Sequence, residues 1–428
     1  MPFEFGLAAP KKVAVIGGGV SGLSAAEHLS NDHHVTLFEA GQRLGGHART
    51  VNAGKDANQP VDTGFIVYNY RNYPHLTAMF DRLDVPVKKS DMSFGVSVKK
   101  GTLEYSLNTV NTMFGQRSNL CRVNFYRLLL DIVKFNQRSG EMVKGSDKTL
   151  RELLAELGTG KWHRDYYILP FAGAIWSTSL DKMLDFPADA LMRFFKNHGL
   201  LSHREHLQWY TVDGGSIEYV SRLETALREN DVTIRRGAYV NGVRRTGLGV
   251  ELRLQGGDWQ RFDDVVFACH SDQALAMMED PSEDEKALLG AIKYQPNQAV
   301  LHADPSVMPK RKRVWSAWNY VADETPLTEP VGVTYWMNKL QSIQESDPIF
   351  QSLNPNRPIR EELIYDQKEF MHPVFDKAAM NAQTKIKALQ GTRNTWFCGA
   401  YLRNGFHEDG YASGVDMAAV FQKQAVWA

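Results

Sequence analysis

Three adjacent ionisable residues near the end of the chain, His407-Glu408-Asp409, are the side chains that most directly suggest chemistry. They lie in the stretch FCGAYLRNGFHEDGYASG, residues 397–414, among four glycines. A metal site needs ligands spaced to converge, and three adjacent side chains point in different directions, so we predict no metal. His407 or Glu408 could act as a general acid or base. We favour a third interpretation, in which acidic residues of a first helical turn cap the helix and complement its dipole.

The stretch that decides between these interpretations is at the other end of the chain, at residues 12–39. A short apolar run predicts a buried parallel strand, and Gly17-x-Gly19-x-x-Gly22 then opens a predicted helix. The first glycine permits a tight turn, the second lets the backbone approach a pyrophosphate, and the third lets helix and strand pack closely. A second strand ends at Glu39, which can accept hydrogen bonds from a ribose. This order predicts a Rossmann-like, dinucleotide-binding unit.

The segments that follow resemble the flavin amine oxidase superfamily. EAGQRLGGHARTV, residues 39–51, is similar to its R-x-G-G-R signature, and DTGF, residues 62–65, matches its next flavin-contacting segment. The usual final Arg is His47 here, with Arg49 two residues on, and which of the two meets phosphate stays open. The resemblance implies non-covalently bound FAD. The contacts it implies in these segments are Arg43, Gly45, Gly46, Thr63 and Gly64.

The C-terminal stretch resembles the last block of the same superfamily, a strand ending in F-x-G, a loop and a flavin-facing helix. Gly399 ends the strand, and Gly405-Phe406-His407-Glu408 aligns with the G-Y-x-E of the family. The resemblance implies cofactor contacts at Gly399, Phe406 and His407, and a backbone contact from Val240 to the adenine. Phe406 stands where amine oxidases often carry a tyrosine of an aromatic cage. A phenyl ring there suits an apolar substrate as well as an amine.

The resemblance implies an α/β fold in which a Rossmann-like (GR2-type) FAD-binding domain is interleaved with an α+β substrate-binding domain. The FAD-binding domain would consist of residues 1–85, 205–280 and 386–428. The substrate-binding domain would consist of residues 86–204, whose patterns are mainly helical, and residues 281–385. We expect the active site between the two domains.

Four further stretches resemble a narrower group, the flavoproteins encoded beside cyclopropane-fatty-acid-synthase-like methyltransferases, linked to methylated and furan fatty acids. They are DTGFIVYNYRNYPHL, KRKRVWSAWNY, TYWMNKLQ and GFHEDG. This implies an FAD-dependent oxidoreductase that desaturates a methylated unsaturated acyl group on a phospholipid by hydride transfer to flavin. It also implies a functional partnership with a fatty-acid methyltransferase. His407, Glu408, Tyr320 and Lys339 are the candidate bases.

Two other functions stay open at this point. One is an amine or amino-acid oxidase of the same superfamily. The other is a non-redox role, either as a lipid-binding flavoprotein partner of the methyltransferase or as an isomerase that uses reduced flavin.

Composition restricts the partners. Basic and acidic residues balance at 49 each, so no global charge points to nucleic acid. Three scattered cysteines suggest a reducing compartment, and neither a leader nor a membrane-spanning pattern is present. We expect a cytoplasmic protein, with peripheral contact to the inner face of the membrane as an option. Two stretches could provide that contact: the basic run 310–313 followed by Trp315 and Trp318, and the apolar helix of residues 120–135, for which we favour a place in the core.

Overall fold

The computed structural model describes residues 9–176, 178–201, 207–323 and 331–425. The strands, in chain order, are β1 (Lys12–Ile16), β2 (His34–Phe38), β3 (Thr50–Ala53), β4 (Gln59–Asp62), β5 (Val87–Ser90), β6 (Phe94–Val98), β7 (Leu103–Ser106), β8 (Trp209–Val212), β9 (Thr233–Arg235), β10 (Val240–Thr246), β11 (Gly249–Leu254), β12 (Trp259–Phe262), β13 (Asp264–Phe267), β14 (Lys293–His302), β15 (Trp318–Ala322), β16 (Val333–Trp336), β17 (Phe350–Leu353), β18 (Ile364–Val374) and β19 (Thr395–Phe397).

The helices, in chain order, are α1 (Val20–Leu29), α2 (Pro74–Arg82), α3 (Val110–Met113), α4 (Val123–Val143), α5 (Leu150–Leu157), α6 (Lys161–His163), α7 (Leu169–Trp176), α8 (Leu180–Leu184), α9 (Ala188–Asn197), α10 (Ile217–Glu229), α11 (Ser271–Met277), α12 (Glu283–Gly290), α13 (Met337–Leu340), α14 (Lys377–Ile386) and α15 (His407–Ala425). No helix in the described ranges is both long and apolar enough to cross a membrane.

A five-stranded parallel sheet forms the first half of the molecule, in the order β19-β13-β1-β2-β9. Its central strands are buried on both faces, which is why they read as continuous apolar runs such as VAVI in β1. Helices α1, α10 and α15 cover one face, and the antiparallel sheet β10-β11-β12 covers the other. The Rossmann-like unit predicted from residues 12–39 is therefore present.

A mixed seven-stranded sheet forms the second half, in the order β18-β14-β17-β16-β15-β6-β7. Helices α4 to α9 pack against its β6, β7, β15 and β16 end and form a large aromatic core with it. The predicted α/β fold class, with an α+β domain beside the Rossmann-like one, is confirmed. The exact domain boundaries remain a prediction.

The start of the region expected to be mainly helical, residues 86–204, differs from that expectation. It begins with the three strands β5, β6 and β7, and helices follow only from residue 110. β6 and β7 pair with each other across a tight turn, and their residues are almost all buried. Their short alternating sequences, FGVSV and LEYS, fit a pleated sheet better than a helix.

Candidate active site

The turn between β1 and α1 is shaped by a close approach of two backbone segments. A Cβ atom at Gly22 would lie 1.8 Å from the carbonyl oxygen of Gly17, so only glycine allows the helix to start so near the strand. Glu39 follows β2, and its carboxylate accepts the backbone N–H groups of Gly18 and Gly41, each at 2.7 Å. The helix N-terminus and the carboxylate together form a cradle of the kind that binds a dinucleotide.

The loop of residues 43–48 lies against this turn. The Arg43 guanidinium donates to the carbonyl oxygens of Gly46, at 2.7 Å, and Ala48, at 3.0 Å. The Gly45 N–H donates to the carbonyl of Gly18 at 2.8 Å. Arg43 and Gly45 thus brace the loop, while Gly46 presents its backbone to the cavity described next. A direct contact of Arg43 or Gly45 with a cofactor remains a prediction.

One continuous cavity of about 1130 Å³ runs from this cradle into the second half of the molecule. Single small-molecule pockets are commonly about 300–1,000 Å³, so this cavity has room for a dinucleotide and a second ligand. Most predicted cofactor residues line it, while Gly22, Arg43 and Gly45 lie behind its wall. The predicted residues on the wall are Gly17, Gly19, Glu39, Gly46, Thr63, Gly64, Val240, Gly399, Phe406 and His407.

His47 and Arg49, the two residues of which one is expected to meet the cofactor phosphate, have different surroundings. A Cβ at Gly64 would lie 1.9 Å from the carbonyl oxygen of His47, so the DTGF segment and the His47 loop touch, and His47 lines the cavity. The Arg49 guanidinium instead binds both oxygens of Asp366, at 2.5 and 2.9 Å, and Thr63 Oγ1 at 3.2 Å. Arg49 therefore joins the two halves of the molecule, and His47 faces the cavity.

The two carboxylates of the His-Glu-Asp run cap two different helices. Asp409 accepts the backbone N–H groups of Phe406, at 2.9 Å, and Asn404, at 3.2 Å, and so caps its own helix α15. Glu408 accepts the backbone N–H groups of His75 and Leu76, at 3.0 and 2.9 Å, at the start of α2. Both oxygens of Glu408 bind helix N–H groups and the residue does not line the cavity, which favours capping over the role of a base; that role stays a prediction. The capping interpretation holds, and it extends to a helix distant in sequence.

His407 is the one candidate base that the structure brings to the cavity wall, among the residues that it describes. Its ring stacks on Phe65, with centroids 4.0 Å apart and planes 12° apart. Its Nε2 shares a hydrogen bond of 2.6 Å with the hydroxyl of Tyr219. Burial lowers the pKa of His407 to about 3, so the ring is neutral at physiological pH.

Tyr320 and Lys339 lie away from the cavity wall. Tyr320 is buried in the aromatic core between the sheet and helices α4 to α9, and burial raises the pKa of its hydroxyl well above the usual range. The Lys339 ammonium lies 3.8 Å from Asp91 and over the ring of Trp336, and it remains partly exposed. Neither side chain is placed to take a proton from a ligand in this cavity.

An aromatic wall extends the cavity beyond His407. Phe406 stacks on Phe194, with centroids 4.9 Å apart, and meets Trp176 at 6.3 Å. The lining around these rings is largely apolar and comes from β6, helix α7 and the segments that flank β7, α7 and α9; it includes Phe94, Leu107, Tyr167, Phe171, Ala174, Ile175 and Leu200. The sequence patterns predicted apolar helices here but not which of their residues face a ligand.

Three residues that the sequence did not assign to the site lie side by side on the sheet facing the cavity. Trp318 on β15 pairs with Tyr335 on β16, which pairs with Gln351 on β17, and all three line the cavity. Gln351 is 2% exposed, and neither its Oε1 nor its Nε2 has a hydrogen-bond partner within the described ranges. The Trp318 Nε1 is buried and unpaired in the same way. Such groups are costly to bury unless a ligand or water satisfies them.

Three histidines meet on the cavity wall near the cradle. The ring centroid of His47 lies 5.5 Å from that of His372 and 6.1 Å from that of His270. Burial lowers the pKa of His47 to about 3 and that of His372 to about 4, and it also lowers the pKa of His270. No cluster arranged to hold a metal ion occurs among the described residues.

Within the basic run 310–313, the Lys312 ammonium lies over the half-buried Trp315 ring, 5.9 Å from its centroid. The Trp315 indole donates to the carbonyl of Pro309 and packs on Trp336 and Phe350, while Trp318 faces the cavity. Arg311 of this run pairs with the buried Glu104 at 2.7 Å, while Lys310, Lys312 and Arg313 are exposed. Contact of this stretch with an anionic bilayer stays a prediction.

Comparison with known proteins agrees with this architecture. The model of the flavin containing amine oxidoreductases matches residues 20–337, more than half of the chain. The chain belongs to this family. The (S)-6-hydroxynicotine oxidase of Paenarthrobacter nicotinovorans is 38% identical over 264 residues, which cover 59% of each chain. The chain thus spans about three fifths of the length of this relative.

Solved structures that resemble the chain share its fold at low identity. A fatty acid isomerase from P. acnes that produces CLA aligns over 96% of this chain and 98% of its own, at a TM-score of 0.66 and 17% identity. Cyclohexylamine oxidase from Brevibacterium oxydans aligns over 97% of this chain and 99% of its own, at 0.65 and 16%. These likenesses show the fold alone.

The cofactor of this family member is FAD. The residues present fit it: Gly17 and Gly22 have no room for a side chain, Gly19 presents its backbone to the cavity, and Glu39 on the wall would accept a ribose hydroxyl. Non-covalent attachment remains a prediction. It agrees with the thiols, since Cys121 is exposed, Cys398 is buried facing the Ser21 carbonyl, and burial raises the pKa of Cys269 to about 12.

Proposed function

We propose that this family member desaturates a fatty acyl chain, specifically a methylated unsaturated acyl group carried on a phospholipid. The observation that supports this proposal is the chemistry of the cavity beyond the FAD cradle. Its described lining contains no Lys or Arg, and its histidines are held neutral by burial. A free carboxylate would lack a cationic partner there, whereas a neutral acyl ester needs no charged partner and is less costly to bury.

Bound FAD supplies the oxidant, which accepts two electrons and one hydrogen from the acyl carbon as a hydride. The chain supplies the surroundings. The aromatic wall of Phe406, Phe194 and Trp176 holds an alkyl chain in one orientation and excludes water. A methyl branch or double bond beside the reacting carbon stabilises the cationic character that develops as the hydride leaves.

The second hydrogen leaves as a proton from the neighbouring carbon, and a new C=C bond forms. Carbon next to a cationic centre is strongly acidic, so a weak neutral base is sufficient. His407 can serve as that base, because its Nε2 is held by Tyr219 and its Nδ1 has no hydrogen-bond partner within the described ranges. His372, which the sequence patterns do not mark, is another neutral imidazole on the wall, beside His47 and His270.

The unpaired pair Gln351 and Trp318 fits the polar part of such a substrate. The Trp318 N–H and the Gln351 amide N–H are donors, and an ester carbonyl oxygen is an acceptor that needs no charge partner. The substrate would be supplied by a methyltransferase that acts on unsaturated acyl chains, which gives the implied partnership a chemical basis. The acyl position is left to experiment.

Two alternatives have specific support. Oxidation of an amine is favoured by the family itself and by the resemblance to (S)-6-hydroxynicotine oxidase. Two observations oppose it. Phe406 lacks the hydroxyl of the tyrosine that amine oxidases often carry there, and the carboxylate of Asp91 on the cavity wall already has the Lys339 ammonium 3.8 Å away as its cationic partner. Isomerisation without net oxidation is favoured by the fatty acid isomerase among the structures of the same fold. The two are distinguished from desaturation by their products.

Lipid mass spectrometry tests the proposal. Cells that make methylated acyl chains are compared with and without this chain, and with a Gly22→Val variant whose cradle is blocked. The proposal predicts phospholipids whose methylated acyl chain has lost two hydrogens, in cells with the unaltered chain alone. An identical lipid profile in all three strains would refute it, and an isomer of unchanged mass would favour the isomerase alternative.

A further inference from the structure

The outer face of helix α4 carries a row of exposed apolar side chains. Val123, Tyr126, Leu130 and Val133 are spaced by three and four residues, so they lie on one side of the helix. Leu130 is 69% and Val123 is 65% exposed. The core interpretation of this stretch holds for the opposite face, where the buried residues are Phe125, Leu128, Ile132 and Phe135. The helix is thus apolar on two faces.

Neighbouring elements widen this row into a patch. Val110 of α3 is 72% exposed, and Leu120, just before α4, is 50% exposed. The Tyr126 hydroxyl donates to the carbonyl of Leu120 at 3.0 Å, and the Phe114 ring lies 6.1 Å from the Tyr126 ring, which links α3 to α4. We call the six residues Val110, Leu120, Val123, Tyr126, Leu130 and Val133 the α4 surface. An exposed patch of large apolar residues commonly marks an interaction site.

A row of positive charge runs beside the α4 surface. Arg127, Lys134 and Arg138 are spaced by seven and four residues, on the flank of the apolar row. No ion pair is formed by any of the three within the described part of the chain. Two acidic residues accompany the row: Asp131 accepts the backbone N–H of Gly160 at 2.8 Å, and Glu141 is exposed three residues after Arg138, so three cations and two carboxylates leave the row positive. Apolar side chains flanked by unpaired cations are the pattern of helices that lie in the interface of an anionic bilayer.

The substrate cavity reaches the surface at the same place. Asn108 lines the cavity and is itself exposed, and it precedes Val110 by two residues. Asn136 also lines the cavity and follows Val133 on α4 by three residues. An acyl chain leaving a bilayer at the α4 surface would therefore meet the apolar end of the cavity.

We propose that the α4 surface docks the protein onto a bilayer containing anionic phospholipids, with its apolar row in the acyl boundary and its basic row on the headgroups. The use of the α4 surface as an entry route for substrate rests on the proposed function. Its use as a docking surface rests only on the exposure of its apolar side chains and on the charge beside them. Docking would place Asn108 and the cavity mouth at the level where a phospholipid-linked acyl chain can enter.

Flotation with vesicles tests the docking. The full chain with FAD is mixed with vesicles of phosphatidylcholine alone or with phosphatidylglycerol added. We expect strong binding to the anionic vesicles only. The affinity for these vesicles should fall by about tenfold or more in the double variant Val123→Glu, Leu130→Glu. It should fall by about fivefold in each of the variants Arg127→Gln and Arg138→Gln. The matched control is Leu248→Glu, since Leu248 is equally exposed at 69% but lies in the turn between β10 and β11. FAD content shows that each variant is folded.

Two results would overturn the docking proposal. One is equal binding of the unaltered chain and the double variant to anionic vesicles. The other is a dimer in light scattering that the double variant converts to a monomer, which would make the α4 surface a contact between two copies. Failure of the proposed function is separable, because it appears as a flavin that no detergent-dispersed acyl lipid reduces. Vesicle binding does not depend on that outcome.

Discussion

Replacing Glu39 by glutamine should weaken FAD binding while leaving the fold intact. Each carboxylate oxygen accepts a backbone N–H at 2.7 Å, and the carboxylate also lines the cavity where a ribose hydroxyl would donate to it. A glutamine at this position would keep one acceptor oxygen, and its amide nitrogen would face an N–H donor. The backbone bonds are present with and without cofactor, so the difference in affinity comes mainly from the ribose. A hydrogen bond to a charged group contributes about 1.5–3 kcal/mol, so the Kd for FAD should rise about 10- to 150-fold.

Titration of the FAD-free protein, followed by quenching of flavin fluorescence, measures this Kd. Glu279→Gln is the matched control, because Glu279 is an exposed carboxylate that pairs with Arg253 outside the cavity. Thermal unfolding of the FAD-free variants checks that the fold is retained. If the Glu39→Gln protein binds FAD as tightly as the unaltered chain and the control, the role assigned to this carboxylate is wrong.

Three further predictions follow from the cavity and its caps. Glu408→Ala should lower the free energy of unfolding, measured in urea, by about 2 kcal/mol and leave the rate of flavin reduction nearly unchanged. Unchanged stability together with lost turnover would instead support Glu408 as a base. Gln351→Leu should raise the free energy of unfolding by about 1 kcal/mol, because it removes two unpaired polar atoms. It should also weaken binding of an ester-bearing acyl lipid more than binding of the matching hydrocarbon. Equal effects on both ligands would contradict the polar contact. The pKa of His407 is about 3 in the folded protein and 6.5 in the unfolded chain, so its contribution to the free energy of unfolding is lost as pH falls from 6.5 toward 3. In the FAD-free protein, His407→Asn should therefore reduce the dependence of the free energy of unfolding on pH in this range by about 1.4 kcal/mol per pH unit. An unaltered dependence would mean that the ring is not neutral.

The nucleotide cradle could be predicted from the sequence because its parts are local. The strand, the Gly17–Gly22 turn, the helix and Glu39 follow one another within residues 12–39, and each has one physical task. The capping character of the acidic pair 408–409 was also predictable, since short carboxylates at a helix start bind free N–H groups. That Glu408 would cap α2, more than 300 residues earlier in the chain, depends on tertiary packing and left no local signal.

The substrate end of the cavity could not be predicted in the same way. Trp318, Tyr335 and Gln351 become neighbours through the register of three strands, and nothing in their local sequences marks that register. The sequence suggested Tyr320 as a functional residue, but Tyr320 is enclosed by the core and Trp318, two residues earlier, faces the cavity. The surroundings of each ring decide this difference, and they depend on tertiary structure. Helix α4 shows the same limit, since its apolar pattern favours a place in the core but does not show that its outer face is also apolar.

Anaerobic mixing of the FAD-bound protein with a phospholipid that carries a methylated unsaturated acyl chain tests the central claim most directly. The proposed function predicts loss of the visible flavin absorption band, with formation of one new C=C bond per flavin reduced. A saturated phospholipid of the same length should leave the band intact. If the band persists with the methylated lipid and is lost instead with an amine, the chain is an amine oxidase and the proposed function is contradicted.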